Sequence, residues 1–266
     1  MLVPGVALGK TKLIHTGRLT LVPGGVNLQD TVFYVRDKRH LECISVGLIC
    51  FSVEPKTENI FLLLGKETCF ENFQSSRGVW CDFGGKPLPS ELTHETAARE
   101  FVEESLGCVQ ISNRRLQSEE MQQQVKQMLK DKQYYKKIQV VSATYWLQHN
   151  KVRKDALRVY YLKEIPWQPH IRDAFQLTRN HLLHIKQTGK ISRCPFSMRR
   201  HPALILNFTR PVVNNHYLEK HAIKWWSLDR LTEVLEKEGR FKNQRFRKSF
   251  LPILAIVVQK LKRFYL

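Results

Sequence analysis

The sequence predicts an α/β fold. Three observations carry that expectation. Short β-rich runs such as CISVGLICFSV and LRVYYLKEI recur along the chain, and segments of helical periodicity separate them. The composition, 42% apolar and 25% charged, is that of an ordinary globular protein. At 266 residues, one elaborated domain is expected, large enough to bury a full core.

Residues 1–42 contain two β-like runs, KLIHTGRLTLV and TVFYVRD, separated by the turn-rich PGGVN, and read as an N-terminal extension. CISVGLICFSV and NIFLLLGKE read as a strand pair joined by the polar turn EPKTE, and a glycine-containing loop then leads into an acidic helix. From 112 to 137 the composition turns to Gln, Lys and Glu; Met121, Val125 and Met128 fall at i, i+4 and i+7, which predicts an amphipathic helix. IQVVSATYWLQ and LRVYYLKEI are the next strands. Residues from about 166 to 215 read as an insertion rich in His and Arg, helical around DAFQLTRNHLLHIKQ. HAIKWWSLDRLTEVLEKEG reads as a strand turning into a helix, and a terminal helix over about 243–264 buries Phe250, Leu254, Val257 and Leu261. The assignment is a main domain over 43–239 with a basic C-terminal helix, 240–266, packed on it.

The strongest bulk signal is charge: 43 Lys and Arg against 24 Asp and Glu, a formal +19. Such a surplus implies a polyanionic partner. Six cysteines, Cys43, Cys50, Cys69, Cys81, Cys108 and Cys194, are scattered without a CxxC pair. They read as reduced thiols in a cytosol-like compartment, not as a disulfide frame or zinc site. MLVPGVALGK lacks a basic start and carries Pro4 and Gly5, so no targeting signal is expected there. The longest apolar run, FLPILAIVV, falls well short of a membrane span, so a soluble cytoplasmic protein is expected.

Against this basic background, WCDFGGKPLPSELTHETAAREFVEESLG concentrates five glutamates, three of them within five positions. Thr93 is the expected N-cap and Gly107 the expected left-handed C′ residue. Glu100, Glu103 and Glu104 stand at i, i+3 and i+4, so their carboxylates share one helical face. Like charges at that spacing repel, and if partly buried they require cations. Convergent hard oxygens suit Mg²⁺ or Mn²⁺, which bridge to substrate phosphates. Gly84 and Gly85, just ahead of the helix, allow backbone to approach a metal or phosphate closely. Arg99, flanked by acids, can orient them through a charge-assisted fork.

These residues resemble the Nudix box, G-x5-E-x7-R-E-U-x-E-E-x-G-U, with Gly85, Glu91, Arg99, Glu100, Glu103 and Glu104 at its fixed positions. Two departures stand out. Leu106 precedes Gly107 where the pattern has glycine then an apolar residue, which reads as a helix stop displaced by one. Phe83 replaces the usual proline before the double glycine. The resemblance implies an α/β/α sandwich around a mixed β-sheet and hydrolysis of a pyrophosphate linkage. It extends over about 43–239, with AIKWWSLDRL resembling the family's closing strand and following helix. By that resemblance Glu100, Glu103 and Glu104 are metal ligands, and the Gly84 carbonyl is a further one. Glu91 and Arg99 resemble the pair that braces the loop and helix. Glu219, six residues before Trp225, is the candidate for an additional acid near the closing strand, with a surface glutamate as its alternative reading. Gly85, Lys86 and Trp225 are the candidate substrate contacts.

The box fixes the bond, not the substrate. From Arg230 to Leu266 ten Lys and Arg face three Glu, and RFKNQRFRKSF alternates base with Phe241, Phe246 and Phe250. A basic stripe with aromatic interleaving can track a phosphate backbone and stack bases. Arg240, Lys242, Arg245, Arg247 and Lys248 are therefore candidate RNA contacts, and the 5′ cap of mRNA is the expected pyrophosphate. Trp146, Tyr161, Trp167 and Trp225 are candidates to hold a methylated guanine, each with a core reading beside it. Free nucleoside diphosphate derivatives, diphosphoinositol polyphosphates, and a non-enzymatic RNA-binding protein on the same scaffold stay open as alternatives.

Overall fold

The computed structural model describes residues 19–21, 33–36, 39–68, 78–112, 118–131, 136–145, 153–191, 201–206, 211–237, 245–247 and 249–265. At its centre lies a nine-stranded mixed sheet. Strands β1 (Leu19–Leu21), β7 (Lys136–Tyr145), β8 (Arg153–Glu164), β3 (Arg39–Val53), β4 (Ile60–Glu67) and β11 (Lys220–Ser227) follow one another across it. β2 (Phe33–Arg36) and β6 (Phe83–Gly85) pair with β3, and β5 (Trp80–Cys81) pairs with β4, while β9 (Leu204–Leu206) and β10 (Pro211–Val213) form a separate two-stranded sheet. β3 runs parallel to β8 and antiparallel to β4, which makes the sheet mixed. The two β-like runs of the N-terminal extension thus supply β1 and β2 of this same sheet.

Strand alternation fixes which side chains go to which face. Val46, Leu48 and Cys50 of β3 join Leu63 of β4, and Leu157, Val159 and Tyr161 of β8, in one core cluster. Their sequence neighbours Ile49, Phe51, Leu62, Leu64, Tyr160 and Leu162 form the other. Helices cover both faces, giving the expected three layers. On the first face lie α1 (Thr93–Glu104), α2 (Ser118–Met128) and α3 (Ile171–Thr188); on the second lie α4 (Leu228–Lys237) and α5 (Leu251–Tyr265). α2 buries Met121 and Val125 as the periodicity predicts. α3 closes on Gly189, whose φ of 65° suits glycine.

α5 buries Leu254, Val257 and Leu261 but starts at Leu251, later than expected, with Pro252 in its first turn. Phe246 and Phe250 are each 1% exposed, so they are core residues and offer no face to a nucleic-acid base. Phe241 and the basic residues Arg240, Lys242 and Lys248 lie outside the described residues, as do Trp146, Cys69 and Cys194. No described helix is long and apolar enough to cross a membrane.

Candidate functional site

The acidic segment folds as a glycine strand followed by a helix that returns over it. β6 pairs antiparallel with β3, bringing Gly85 opposite Val46 and Gly84 opposite Gly47. A β-carbon at Gly84 would collide with the Val46 carbonyl and Gly47 Cα, and one at Gly85 would collide with the Glu100 carboxylate. The glycine pair therefore lets the carboxylates approach main chain that any side chain would hold away. Phe83 and Phe101 lock the strand to the helix edge-to-face at 5.5 Å.

α1 begins and ends differently from expectation. Thr93 is its first helical residue, not its cap, because its hydroxyl is 2.7 Å from the Tyr161 hydroxyl in the core. Leu92 takes the N-cap place, and its N–H donates to Oε2 of Glu95 at 3.0 Å. At the other end Leu106 N–H donates to the Glu103 carbonyl at 3.2 Å and Gly107 N–H to the Val102 carbonyl at 2.9 Å. This is a Schellman closure with Leu106 at C′, φ 56°. The helix stop is therefore not displaced. A leucine holds C′ in the left-handed region, kept there by burial at 1% exposure and by His201, whose Nε2 is 3.0 Å from its carbonyl; Gly107 follows at C″ and is left-handed too, at φ 60°.

Glu91 and Arg99 form the expected brace. Arg99 donates through Nε to Oε1 of Glu91 at 2.7 Å and through Nη2 to Oε2 at 3.0 Å, a bidentate fork. Glu91 also accepts the Leu88 N–H at 3.0 Å and the Thr96 hydroxyl at 2.9 Å, closing the loop onto the helix. Burial works against the Glu91 charge, but Arg99, Leu88 and Thr96 outweigh it and hold the carboxyl below its ordinary range. From the same guanidinium Nη1 reaches Glu100 at 2.8 Å and Glu103 at 3.3 Å, and Nη2 reaches the Lys86 carbonyl at 3.3 Å.

Glu100 and Glu103 are half-buried, and burial pushes both carboxyls upward. Arg99 opposes that shift, whereas each also feels the charge of Glu219. The 3₁₀ turn Asn215–Leu218 carries Glu219 to this place. Its side chain meets Nδ1 of His216 at 3.0 Å, and its carbonyl accepts the Thr68 N–H at 2.7 Å. Burial and the nearby Glu103 raise the Tyr217 hydroxyl to about 12.

Glu104 behaves differently from its two neighbours. Its side chain is 4% exposed; Oε2 accepts the Gly84 N–H at 2.7 Å, and Oε1 lies 2.9 Å from Nζ of Lys220. Burial lifts its pKa to about 8, against the pull of Lys220. Lys220, 1% exposed at the side chain, also donates to Sγ of Cys81 at 2.9 Å and lies 3.9 Å from Glu67. Burial disfavours the ammonium, but Cys81, Glu104 and Glu67 outweigh it and keep the lysine protonated. Behind it Asp82 fills the space left by Gly47, and Arg247, its side chain 43% exposed, pairs with Glu67. Arg247 thus ties the surface to this network. Nothing in the local pattern of KHAIKWW marks Lys220 as the counter-ion of a helix more than a hundred residues earlier.

The donor set is hard oxygen throughout, and the mutual repulsion of Glu100, Glu103 and Glu219 is what a divalent cation relieves. Among the described residues, however, no three His, Cys, Asp or Glu side chains enclose a metal position. Arg99 spans Glu100 and Glu103, while Lys220 and Gly84 engage both oxygens of Glu104. By donor chemistry Glu100, Glu103 and Glu219 are the carboxylates that suit a hard cation, whereas both oxygens of Glu104 are taken by Lys220 and the Gly84 N–H. Lys86 stands exposed beside Gly85. Trp225 is elsewhere: its ring tilts against Trp167 at 5.1 Å and its N–H donates to the Gln168 carbonyl at 2.9 Å. Five residues beyond Lys220, it is about 16 Å further along β11 at the usual strand rise.

No family model matches the chain, and no curated protein matches it. Solved structures that align with it include Nudix proteins. The Nudix domain of Shewanella oneidensis NrtR, complexed with ADP ribose, shares 12% identity at TM-score 0.41, covering 86% of this chain and 94% of that one. The Nudix hydrolase RenU from M. smegmatis shares 8% at TM-score 0.39, covering 88% and 97%. A C. elegans Ap4A hydrolase shares 12% at TM-score 0.33, covering 81% and 97%.

Proposed function

We propose that this chain is a divalent-metal-dependent pyrophosphohydrolase of the Nudix kind, acting on the 5′ cap of RNA. The observation that supports it most is the registration of Glu100 and Glu103 over the Gly84–Gly85 strand, braced by the Glu91–Arg99 fork. An acidic helix face exposed only to water needs no glycine strand beneath it and no half-buried arginine to hold it.

Glu100, Glu103 and Glu219 would hold the ion, with the Gly84 carbonyl as a further candidate ligand. Magnesium or manganese, when bound there, neutralises the diphosphate and acidifies a coordinated water. The chain's own residues do the rest. Glu91 and Arg99 fix the helix against the loop, so that the carboxylates keep one orientation through turnover. A glutamate of the cluster accepts the proton of the attacking water. Glu104, tied to Gly84 and Lys220, sets the height of the glycine strand over the helix. Exposed Lys86 is placed to meet a substrate phosphate. Cleavage within a cap would release a nucleoside diphosphate and leave 5′-monophosphate RNA.

The choice of capped RNA rests on the +19 charge, which exceeds what a free nucleotide requires. A panel of cap-labelled RNA, cap dinucleotide, nucleoside triphosphates and diphosphoinositol polyphosphates tests it. Capped RNA is expected to be cleaved fastest, with an advantage that shrinks as salt rises from about 50 to 300 mM. Equal rates on RNA and dinucleotide at both salts would refute the RNA assignment and leave the hydrolase assignment standing.

A further inference from the structure

Away from the glutamates, cations gather on two indoles. The Lys224 ammonium sits 4.0 Å from the Trp226 ring centre and 5.3 Å from that of Trp80, and Lys66 lies 5.9 Å above Trp80. The two indoles meet edge to face at 5.5 Å, and Phe246 backs Trp226 at 5.2 Å. The platform is thus rigid and anchored in the core of the α4–α5 face. The basic C-terminal run is laid beside it: Trp80 N–H donates to the Arg245 carbonyl at 2.7 Å, and Arg247 N–H to the Trp80 carbonyl at 3.0 Å. Those bonds bring exposed Arg245 to the same patch.

The patch is unusual in its charge. Burial lowers the Lys224 pKa, and Arg172, Arg245, Lys66 and Arg230 lower it further. Among the described residues no carboxylate bridges to Lys66 or Lys224. Each cation–π contact stabilises its lysine, but the like charges gathered there repel one another. A phosphate chain supplies anions to Lys66 and Lys224, and the partly exposed Trp80 stands beside them. The patch also lies at the right place. Lys66 and Trp80 are the immediate chain neighbours of Glu67 and Cys81, which flank Lys220 behind the glutamate helix. Lys224 is about 13 Å along the edge strand β11 from Lys220.

We propose that Lys66, Lys224 and Arg245, clustered on Trp80 and Trp226, are a docking surface for the sugar–phosphate chain of a single-stranded nucleic acid. The proposal deepens the capped-RNA reading by giving the RNA body a track around the sheet edge, and rests on that reading only for where the 5′ end lies. It replaces Phe246 and Phe250 by Trp80 as the aromatic element.

Anisotropy of a labelled, uncapped single-stranded RNA, titrated with the full chain in EDTA, tests it without turnover. Lys66→Glu/Lys224→Glu is expected to weaken binding by about ten-fold or more and to reduce the salt slope by about two to four, as two contacts become repulsive. Lys186→Glu/Lys190→Glu, an equal change of net charge on exposed positions near the end of α3, is expected to weaken it far less. RNA binding is also expected to quench tryptophan emission. Equal losses in the two double variants would reduce the patch to general charge and overturn the proposal, as would displacement of the RNA by an acidic peptide at equal charge concentration. Lys66→Met/Lys224→Met, with melting followed in parallel, guards against misfolding and is expected to show an intermediate loss; wild-type affinity in that folded variant would also overturn it. Failure of the hydrolase reading would appear separately, as absence of turnover with RNA affinity intact.

Discussion

The ammonium of Lys220 lies 2.9 Å from Oε1 of Glu104, with the two side chains 1% and 4% exposed. A lysine thus stands beside the most buried carboxylate of a helix on which an arginine spans Glu100 and Glu103. Above about pH 8, where the Glu104 carboxyl is ionised, removing one partner of such a pair strands a charge. Lys220→Met is expected to cost about 3–5 kcal/mol of stability, and Lys220→Met/Glu104→Leu is expected to recover most of it. A denaturant-unfolding double-mutant cycle measures this; additive losses would show that the pair is not coupled.

The burial of Glu104 also sets a pH dependence. Its carboxyl titrates near 8 in the fold against an ordinary value of 4.5, so the folded state binds the proton more tightly. Its contribution is full below the unfolded value and is lost as pH rises through about 8. Glu104→Gln is expected to flatten the fall in stability between those two values, read from melting curves across pH. An unchanged slope would assign that fall to other groups.

Glu91 contributes with the opposite sign. Held below its ordinary value of 4.5, it adds stability above that pH which disappears as the solution becomes more acid. Glu91→Gln is expected to lose stability at neutral pH and little at the acid end. An equal loss at both ends would mean that the charge of the brace is immaterial.

Leu106 provides a backbone test. At φ 56° a β-carbon is strained, whereas glycine is not. Both Leu106→Ala and Leu106→Gly empty the same core position, but the glycine variant is expected to be the more stable by about 1 kcal/mol, the reverse of their order inside a helix. Alanine matching or exceeding glycine would contradict the left-handed assignment.

Much of this was legible in the chain. Two-residue alternation in CISVGLICFSV and LRVYYLKEI assigns their faces, and the spacing of Glu100, Glu103 and Glu104 places them on one helix. The brace between Glu91 and Arg99 followed from their spacing in the box. What escaped reading depends on contacts distant in sequence. Lys220 meets Glu104 only because β11 closes the sheet beside β4. Trp225 and Trp226 are adjacent in sequence but point to opposite faces, so one joins Trp167 and the other joins Trp80. The Phe246 and Phe250 rings alternate with base in sequence, yet burial removes them from any surface role. Leu106 hides its conformation because only packing, not local preference, places a leucine there.

Calorimetric Mn²⁺ titration bears on the ligand set. Glu100→Gln and Glu103→Gln are each expected to weaken binding by about ten-fold or more, the scale on which lost metal-site interactions act. Glu219→Gln is expected to weaken it too, and unchanged affinity there would return Glu219 to an ordinary surface residue.

Hydrolysis of cap-labelled RNA, with products separated in Mg²⁺ and in EDTA, tests the central claim most directly. The expected result is release of a nucleoside diphosphate in Mg²⁺ alone, abolished in Glu103→Gln while that variant still binds RNA. Release in EDTA, or undiminished turnover by Glu103→Gln in Mg²⁺, would contradict it.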